Sequence, residues 1–350
     1  QVTFAKLSNS SEEGRQENGI SFVQSGLLLH LVLTALSPAV DQEIRTEIED
    51  ATGYAPTEEE RTLILNSVLS WLPPSSASLK FRRAARLVAA PGVPVGAGLG
   101  LRVDRLKGTE DPAELARVLN DMFTTDQVEK DSGGSLRETF EEEELTGGVC
   151  AALLSTAYLR ARWRAAPTLL NHSSAFRRPS PAAPGDTRAL RLTDQLGYAD
   201  LPDWDAEAIE IQYLEPGLSL LLVVPREPSL RLLAQRLAAE GISPVLQRLQ
   251  ERRLAVVMPL YTLRMTLLLP NKLESMGVSA LVSGRGGCGA LRLSHAVQRI
   301  MFWAEAGRHA YKDDGIEWDA PAEREVAVDR PYAFYVRWRN VTLMNGHFVL

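Results

Sequence analysis

Cysteine, catalytic motifs and long hydrophobic runs are all scarce in this sequence. The 350 residues contain two cysteines, Cys150 and Cys288, which are too few for a disulfide framework. We expect two buried thiols, with a single bridge as the alternative. The longest apolar run, residues 26–36, contains His30 and is shorter than the about 20 residues that span a bilayer. The sequence therefore excludes a transmembrane protein.

Motifs of enzyme chemistry are missing as well. The five histidines show no HExxH spacing, and neither a GxSxG nucleophile motif nor a Walker phosphate-binding loop occurs. The glycine-rich stretch 283–289 lacks the GK[ST] ending, and the four glutamates at 141–144 are consecutive, whereas metal ligands are spaced so that they converge. We therefore expect no enzymatic activity, no metal and no other cofactor.

The charge balance is slightly acidic, with 38 basic and 44 acidic residues and a net charge of −6. This disfavours a nucleic-acid partner, while 45% hydrophobic residues are typical of a folded globular protein. The chain begins at Gln1 without a methionine, and N-glycosylation sequons occur at Asn9, Asn171 and Asn340. These features predict a secreted, extracellular glycoprotein.

Helical periodicity comes first along the chain, and strand patterns follow. Residues 59–72 repeat apolar positions at a period close to 3.6, and a second helix is predicted after Asp111, where Pro112 takes the first position. Further segments are predicted as strands at 149–158, 218–224, 253–261 and 334–338, and as a helix at 230–249. No linker or repeat divides the chain. We expect a single α+β domain over residues 1–350.

Several short segments, in order along the chain, carry a family pattern. They are segments 154–163, 199–202 with 209–213 and 218–225, 257–261, 293–298, 329–334 and 345–348, and together they resemble the serpin family. Segment 154–163 is similar to the third strand of the family's sheet A, with Trp163 at its top, and segment 293–298 is similar to the fifth. Residues 329–334 read Asp-Arg-Pro-Tyr-Ala-Phe, similar to the family's D-R-P-F-x-F signature.

The resemblance implies a fold of three β-sheets with about eight or nine helices. It also implies an exposed reactive loop at about 305–329. In inhibitory members a protease cleaves this loop, which then inserts between the third and fifth strands of sheet A and carries the acylated protease with it. Insertion completes the hydrogen-bond ladders of a metastable sheet.

The hinge where insertion begins departs from the inhibitory pattern, which is a Thr or Ser followed mostly by Ala. Insertion would begin just after Glu305 and Gly307, and the hinge residues that would then enter the sheet include both charges and rings: Arg308, His309, Ala310, Tyr311, Lys312 and Asp313. Because strand side chains alternate between faces, either register buries charged groups, and an unpaired buried charge costs several kcal/mol. The hinge composition therefore predicts a loop that does not insert.

The polar cluster beneath sheet A, which lets the strands part in the family, is altered too. The family's Ser-Pro-x-Ser is replaced by a segment from Ser25 to Leu28, its Asn by Ser155 and its His by Gln298. The resemblance places Ser155 and Gln298 at about the same level of the sheet. Three changes in one network indicate that it no longer serves strand opening.

The scissile bond is predicted near Ala320–Pro321, where a proline after the bond resists most serine proteases; the nearest basic residue downstream is Arg324. The resemblance puts the cysteines on or before the two strands that part. Their unequal distances from Ser155 and Gln298 predict two separate thiols, because a bridge would require the glycine-rich loop to fold back. A bridge there would prevent the two strands from parting.

Three functions remain open from the sequence. The first is a non-inhibitory serpin that acts as a monomeric binding or regulatory module for an unidentified protein partner, with neither nucleic acid nor membrane. The alternative is a suicide-substrate inhibitor of a serine or cysteine protease. A third is a competitor that blocks a protease without trapping it. A glycosaminoglycan patch at Lys80, Arg82, Arg83 and Arg86 is a weaker hypothesis, since strand alternation divides these residues.

Overall fold

The structure is a computed structural model that describes residues 20–54, 57–95, 101–108, 110–124, 140–170, 172–178, 184–282, 287–304 and 322–350. These residues form seven α-helices, sixteen strands and three sheets. The helices are α1 (Gly26–Leu36), α2 (Gln42–Thr52), α3 (Glu58–Trp71), α4 (Pro112–Thr124), α5 (Arg231–Glu240), α6 (Ser243–Arg248) and α7 (Leu269–Ser275).

Helix starts follow local chemistry. The Ser25 hydroxyl caps α1 by accepting from the Leu28 backbone N–H, and Thr57 and Glu60 form a reciprocal capping box at α3. The predicted start of α4 is confirmed, because the Asp111 carboxylate accepts a 2.7 Å hydrogen bond from the Glu114 N–H.

The predicted helix at 230–249 is two helices, not one. Gly241 follows α5 with φ of +67°, and its N–H donates to the Leu237 carbonyl. With ψ of −166°, this backbone conformation is one that glycine adopts readily, so the helix ends there. A new helix, α6, then starts with proline at its second position. The apolar period continued across the break, which is why the sequence did not reveal it.

The strands are β1 (Phe22–Gln24), β2 (Leu79–Ala89), β3 (Arg102–Arg105), β4 (Ala151–Ala161), β5 (Thr168–Leu169), β6 (Ser174–Phe176), β7 (Gly185–Thr187), β8 (Ala189–Leu201), β9 (Ala206–Gln212), β10 (Leu218–Pro225), β11 (Gln250–Pro259), β12 (Thr262–Leu268), β13 (His295–Trp303), β14 (Arg324–Ala327), β15 (Tyr332–Trp338) and β16 (Val341–Phe348). The strands predicted at 149–158, 218–224, 253–261 and 334–338 correspond to β4, β10, β11 and β15.

Two large sheets organise these strands. The five-stranded sheet has the order β12-β13-β4-β2-β3 and is called sheet A below. A nine-stranded sheet has the order β1-β16-β15-β10-β9-β8-β11-β14, with β5 paired to β8. A hairpin of β6 and β7 forms the third sheet.

The main core joins both large sheets through α1. Leu29, Leu33 and Leu36 of this helix are buried with Leu153 and Leu159 from β4 and with many side chains of the nine-stranded sheet. A second cluster lies on the outer face of sheet A, where Leu115 and Leu119 of α4 pack with Val88, Leu154 and Val297. Sheet A is therefore covered on one side by the core and on part of the other by α4.

Candidate functional site: the junction of β4 and β13

The third and fifth strands identified in the sequence lie side by side. β4 and β13 pair in parallel over nine residues, and Gln298 is the direct partner of Ser155, so the predicted level of these two residues is confirmed. A loop that entered sheet A between them would have to break this ladder. Whether a loop can insert into sheet A therefore depends on the junction of β4 and β13.

The prediction of two separate thiols is wrong. Cys150 and Cys288 form a disulfide with a Cα–Cα distance of 5.0 Å. Cys150 directly precedes β4, and Cys288 lies in a short 3₁₀ turn, Gly287–Gly289, seven residues before β13. The bridge therefore joins the amino-terminal ends of the two strands.

The chain between Cys288 and β13 folds back instead of extending, and this brings the sulfurs together. Leu291 and Leu293 are both buried, and the Leu293 N–H donates to the Leu281 carbonyl at 2.7 Å. Distances along an extended chain are upper limits, so the length argument from the sequence overestimated the separation. From the sequence, folding back of the glycine-rich loop was the requirement for a bridge. The glycines on each side of Cys288 were the sequence signal for this folding.

At the middle of the junction, Gln298 makes a two-point contact with the start of α1. Its side-chain oxygen accepts from the Ser25 N–H at 3.0 Å, and its amide nitrogen donates to the Ser25 carbonyl at 3.1 Å. All of these groups are buried. Gln298 therefore satisfies both backbone groups of one residue, which a single imidazole does not do with one donor and one acceptor on opposite sides of its ring.

The neighbouring polar groups also close the junction. The Ser155 hydroxyl donates to the Val297 carbonyl at 3.3 Å, from β4 across to β13. The Ser25 hydroxyl donates to the Leu343 carbonyl at 2.7 Å, and Leu28 contributes a buried apolar side chain where the family has a polar one. Four of the five predicted residues of this region, Ser25, Leu28, Ser155 and Gln298, thus lie together.

The fifth predicted residue, Trp163, lies at the other end of the sheet. It forms a bridge with Tyr213, and the two rings stack at a centroid distance of 4.3 Å. Burial raises the pKa of the Tyr213 hydroxyl well above its usual value, so this phenol stays protonated and neutral. A stacked aromatic pair thus lies just beyond the carboxyl-terminal end of β4, while the disulfide joins the amino-terminal end of β4 to the segment before β13.

The remaining predicted positions separate into two groups. The hinge at 305–313, Ala320 and Pro321 lie outside the described residues, as do Asn9 and Asn171. Arg324 is the first residue of β14, where it pairs with Leu254 of β11. Its guanidinium donates to the Tyr198 hydroxyl at 2.8 Å and faces Glu207 at 3.4 Å.

The predicted loop boundary at about 329 needs correction, because residues 324–327 form β14 in the nine-stranded sheet. Val326 and Val328 are buried there, and this alternation of apolar and polar residues was a strand signal within the predicted loop. Asn340 is exposed in the turn between β15 and β16, whose flanking residues Trp338 and Val341 pair.

Within the described ranges, no group of three or more His, Cys, Asp or Glu side chains is placed to hold a metal ion. No helix among those residues is both long and apolar enough to cross a membrane.

These features define a protein built on two packed sheets, whose central parallel pair of strands has a disulfide at one end and an aromatic stack at the other. The sequence profile described as Serpin (serine protease inhibitor) matches residues 2–349. The chain belongs to the serpin family. The family includes proteins that are not enzymes, such as ovalbumin.

Relatives at the sequence level are distant. Human Serpin B4 is 22% identical over 237 residues, which cover 63% of this chain and 61% of that protein. Serine protease inhibitor 42Dd of Drosophila melanogaster is 22% identical over 266 residues, or 69% of this chain and 65% of that protein. The matches thus span less than two thirds of the length of these relatives.

Solved structures show the same fold over the full length. Uncleaved ovalbumin has a TM-score of 0.84 at 15% identity and covers 100% of this chain and 98% of its own. Serpin48, described as a highly specific serpin in the insect Tenebrio molitor, has a TM-score of 0.80 at 16% identity, with 99% and 95% covered. At these identities the likeness establishes the serpin fold.

Proposed function

We propose that this protein is a secreted, non-inhibitory serpin that acts as a monomeric binding or regulatory module and has no enzymatic activity. The observation that carries the proposal is the Cys150–Cys288 disulfide across β4 and β13. Paired strands lie about 4.8 Å apart, and an inserted strand would increase this separation to about 9.6 Å. A disulfide holds its Cα atoms within about 7 Å, so full separation at this end conflicts with the bond.

The anchoring of the loop before β13 supports this reading. For β13 to move while Cys288 stays at Cys150, the chain between them would have to release Leu291 and Leu293 from the core. It would also lose two hydrogen bonds to the Ala151 carbonyl, from the Ser294 N–H at 2.9 Å and from its hydroxyl at 3.0 Å. Exposing two buried leucines costs roughly 3–6 kcal/mol.

The disulfide lies at the end of sheet A that an inserting loop would reach last. The reactive loop begins beyond the carboxyl-terminal end of β13, so an inserting strand would advance from there toward the amino-terminal ends. The bridged end would have to open last. Trapping requires transport of the protease along the whole sheet, and the bridge therefore blocks the final part of that path even if the first residues enter.

Two further observations agree with a closed sheet. The Gln298 contacts with Ser25 and the Ser155 contact with Val297 hold the middle of the junction, and the hinge sequence carries Arg308, Lys312 and Asp313 where insertion would bury charge. Removal of the disulfide alone is therefore not expected to create an inhibitor.

The cellular location is part of the proposal. Disulfides persist mainly in oxidising compartments, which supports secretion. Asn340 lies exposed at the tip of the hairpin of β15 and β16, and N-glycosylation requires an acceptor on the surface. Expression through a secretory pathway and mass analysis of Asn340→Gln tests this: we expect the variant to lose the mass of one glycan, and an unchanged mass would contradict glycosylation at Asn340.

The deciding experiment mixes the oxidised protein with trypsin-, chymotrypsin- and elastase-like proteases and follows both gel mobility and melting temperature. We expect cleavage without any boiling-resistant band at the summed mass of protein and protease. The melting temperature of the cleaved protein should change by less than a few degrees, because no strand is added to sheet A. A covalent complex would show a working inhibitor, and a large rise in melting temperature after cleavage would show that the loop inserts into sheet A; either result would reject the proposal.

A further inference from the structure

The two cysteines of the Cys150–Cys288 disulfide differ in their access to solvent. Cys288 is exposed, and it lies between Gly287 and Gly289, so neither chain neighbour has a side chain that could shield it. A Cβ atom placed on Gly289 would meet nothing within 4 Å, which shows open space beside this turn. Cys288 therefore presents its side of the bond to solvent.

Cys150 is the more protected partner. It is half-buried, and its chain neighbours Val149 and Ala151 are both buried. Its carbonyl accepts a 2.8 Å hydrogen bond from the N–H of Ala90, the residue after β2. The end of β4 thus shields Cys150 more than the turn shields Cys288.

Thiol–disulfide exchange depends on this difference. A thiolate attacks one sulfur of the bond and displaces the other, and access to the attacked sulfur is one of the factors that set the rate. The attacking, attacked and leaving sulfurs lie nearly in line, so the thiolate approaches from the side opposite to the leaving sulfur. The exposed turn leaves this approach open at Cys288, whereas the half-buried end of β4 restricts it at Cys150.

Contacts without sulfur hold the same two strands together. β4 and β13 are paired over nine residues, and the Ser294 N–H and hydroxyl both donate to the Ala151 carbonyl, at 2.9 and 3.0 Å. Leu291 and Leu293, which follow Cys288, are buried. Because none of these contacts requires the bond, the sulfurs can exchange partners while the protein stays folded.

We propose that Cys288 is a site of reversible modification by a low-molecular-weight thiol such as glutathione. The thiolate forms a new sulfur–sulfur bond to Cys288. The Cys150–Cys288 bond breaks with its electron pair on the Cys150 sulfur, which takes up the proton that the attacking thiol lost. One disulfide replaces another, so the step consumes neither an oxidant nor a reductant.

The reverse step restores the bond. The Cα atoms of Cys150 and Cys288 lie 5.0 Å apart in the closed form, so the freed Cys150 thiolate is close enough to attack the modified Cys288 and expel the small thiol. A small thiol is the expected reagent because the turn Gly287–Gly289 offers no other side chain that would select a larger partner.

This inference goes beyond the proposed function, because it makes the bond that closes the junction of β4 and β13 reversible in the folded protein. Its test needs no protease. Its outcome and that of the trapping experiment are therefore independent.

The first test maps the sulfur that glutathione reaches. The full, oxidised chain is incubated with reduced glutathione at about pH 8, where thiolates form, and is then quenched with N-ethylmaleimide in weakly acidic urea and digested for mass spectrometry. We expect glutathione on Cys288 with maleimide on Cys150 about fivefold more often than the reverse, or more.

Exchange in concentrated urea is the matched control, because unfolding removes the difference in access. There the two arrangements should agree within about twofold. The comparison separates the effect of the fold from the intrinsic reactivity of the two cysteines.

Two single variants give an independent measurement. C150S leaves the thiol of Cys288 and C288S leaves the thiol of Cys150, while both lack the disulfide, so each is the control for the other. We expect the thiol of C150S to react with a chromogenic aromatic disulfide about tenfold faster than the thiol of C288S. Melting temperatures show that both variants are folded.

Three results overturn the proposal. They are glutathione found mainly on Cys150 or shared evenly in the folded chain, exchange that occurs only in urea, and equal reaction rates of the two single variants. The second result would mean that the fold protects the bond completely.

Discussion

At the scale of single residues, Gln298 shows how one substitution changes the hydrogen bonds of a buried polar cluster. The sequence indicated only that a polar cluster had lost its family pattern. The structure shows that the cluster is rebuilt, because the Gln298 amide satisfies the N–H and the carbonyl of Ser25 simultaneously. A buried amide with both of its functions paired fixes the position of α1 against β13.

Replacing Gln298 by Ala tests this contact. The change leaves the Ser25 N–H buried without a partner, at a cost of about 1–3 kcal/mol, whereas the Ser25 carbonyl keeps its hydrogen bond from the Leu29 N–H at 3.2 Å. We expect the free energy of unfolding in urea to fall by about 1–3 kcal/mol. Thr266→Ala, at an exposed position of the adjacent strand β12, serves as the control and should change it by about 0.5 kcal/mol at most. A similar small effect of Gln298→Ala would mean that water replaces the amide.

A second prediction for a single residue concerns the effect of a side chain at Gly346 on stability. A Cβ atom added there would lie within van der Waals overlap of the Phe22 carbonyl oxygen, because β1 pairs closely with β16 at this point. Backbone atoms yield less easily than side chains, so Gly346→Ala should destabilise the protein by more than about 2 kcal/mol. Gly147→Ala, where a Cβ meets nothing within 4 Å, is the matched control, and chemical unfolding compares the two. Equal stabilities would show that β1 can move away from β16 at little cost.

At the scale of elements, the disulfide joins two strands that are otherwise held together by hydrogen bonds and by shared side-chain packing. The sequence separation of 138 residues means that the bond restricts a long segment of the unfolded chain. It therefore contributes to stability as well as to closure of the junction of β4 and β13.

The variant C150S/C288S should lose about 2–5 kcal/mol of unfolding free energy. Reduction of the unmodified chain should lower its stability by a similar amount, and the same reductant should leave the variant unchanged. Stability in the variant equal to that of the oxidised chain would show that the fold holds β4 and β13 together without the bond.

At the scale of the whole molecule, two partly buried histidines make stability depend on pH. Burial is the main cause that lowers the pKa of His30 and of His347, so the folded protein binds fewer protons than the unfolded chain just below pH 6.5, the usual histidine value. Stability should therefore be complete above this value and fall as the pH decreases through it toward the lower folded pKa values.

Melting temperatures between about pH 7.5 and pH 5.5 measure the slope of stability against pH. We expect H30Q/H347Q to flatten it, while H172Q, at an exposed position, should leave the slope as it is. An unchanged slope in the double variant would assign the pH dependence to other groups.

The sequence predicted the fold far better than it predicted the site. Periodicity and short motifs identified the central strands, because apolar alternation and buried runs are local properties of segments such as 149–158 and 334–338. The disulfide was missed because it depends on how Gly287–Gly289 turns and on where Leu291 and Leu293 are buried.

The Cys150–Cys288 bond also closes residues 150–288 into a covalent ring, with one open segment before it and a second, called the tail, after it. The ring contains every element from β4 through α7, whereas β13, β14, β15 and β16 lie in the tail, the last three of them attached by strand pairing to β11, β10 and β1. A nick inside the ring therefore leaves a single covalent molecule, and its two ends separate only after reduction. A nick between residues 304 and 322 releases the part of the tail that follows it as a peptide under denaturing conditions, in either redox state. Non-reducing and reducing gels thus locate a protease cut relative to the ring before any fragment is sequenced.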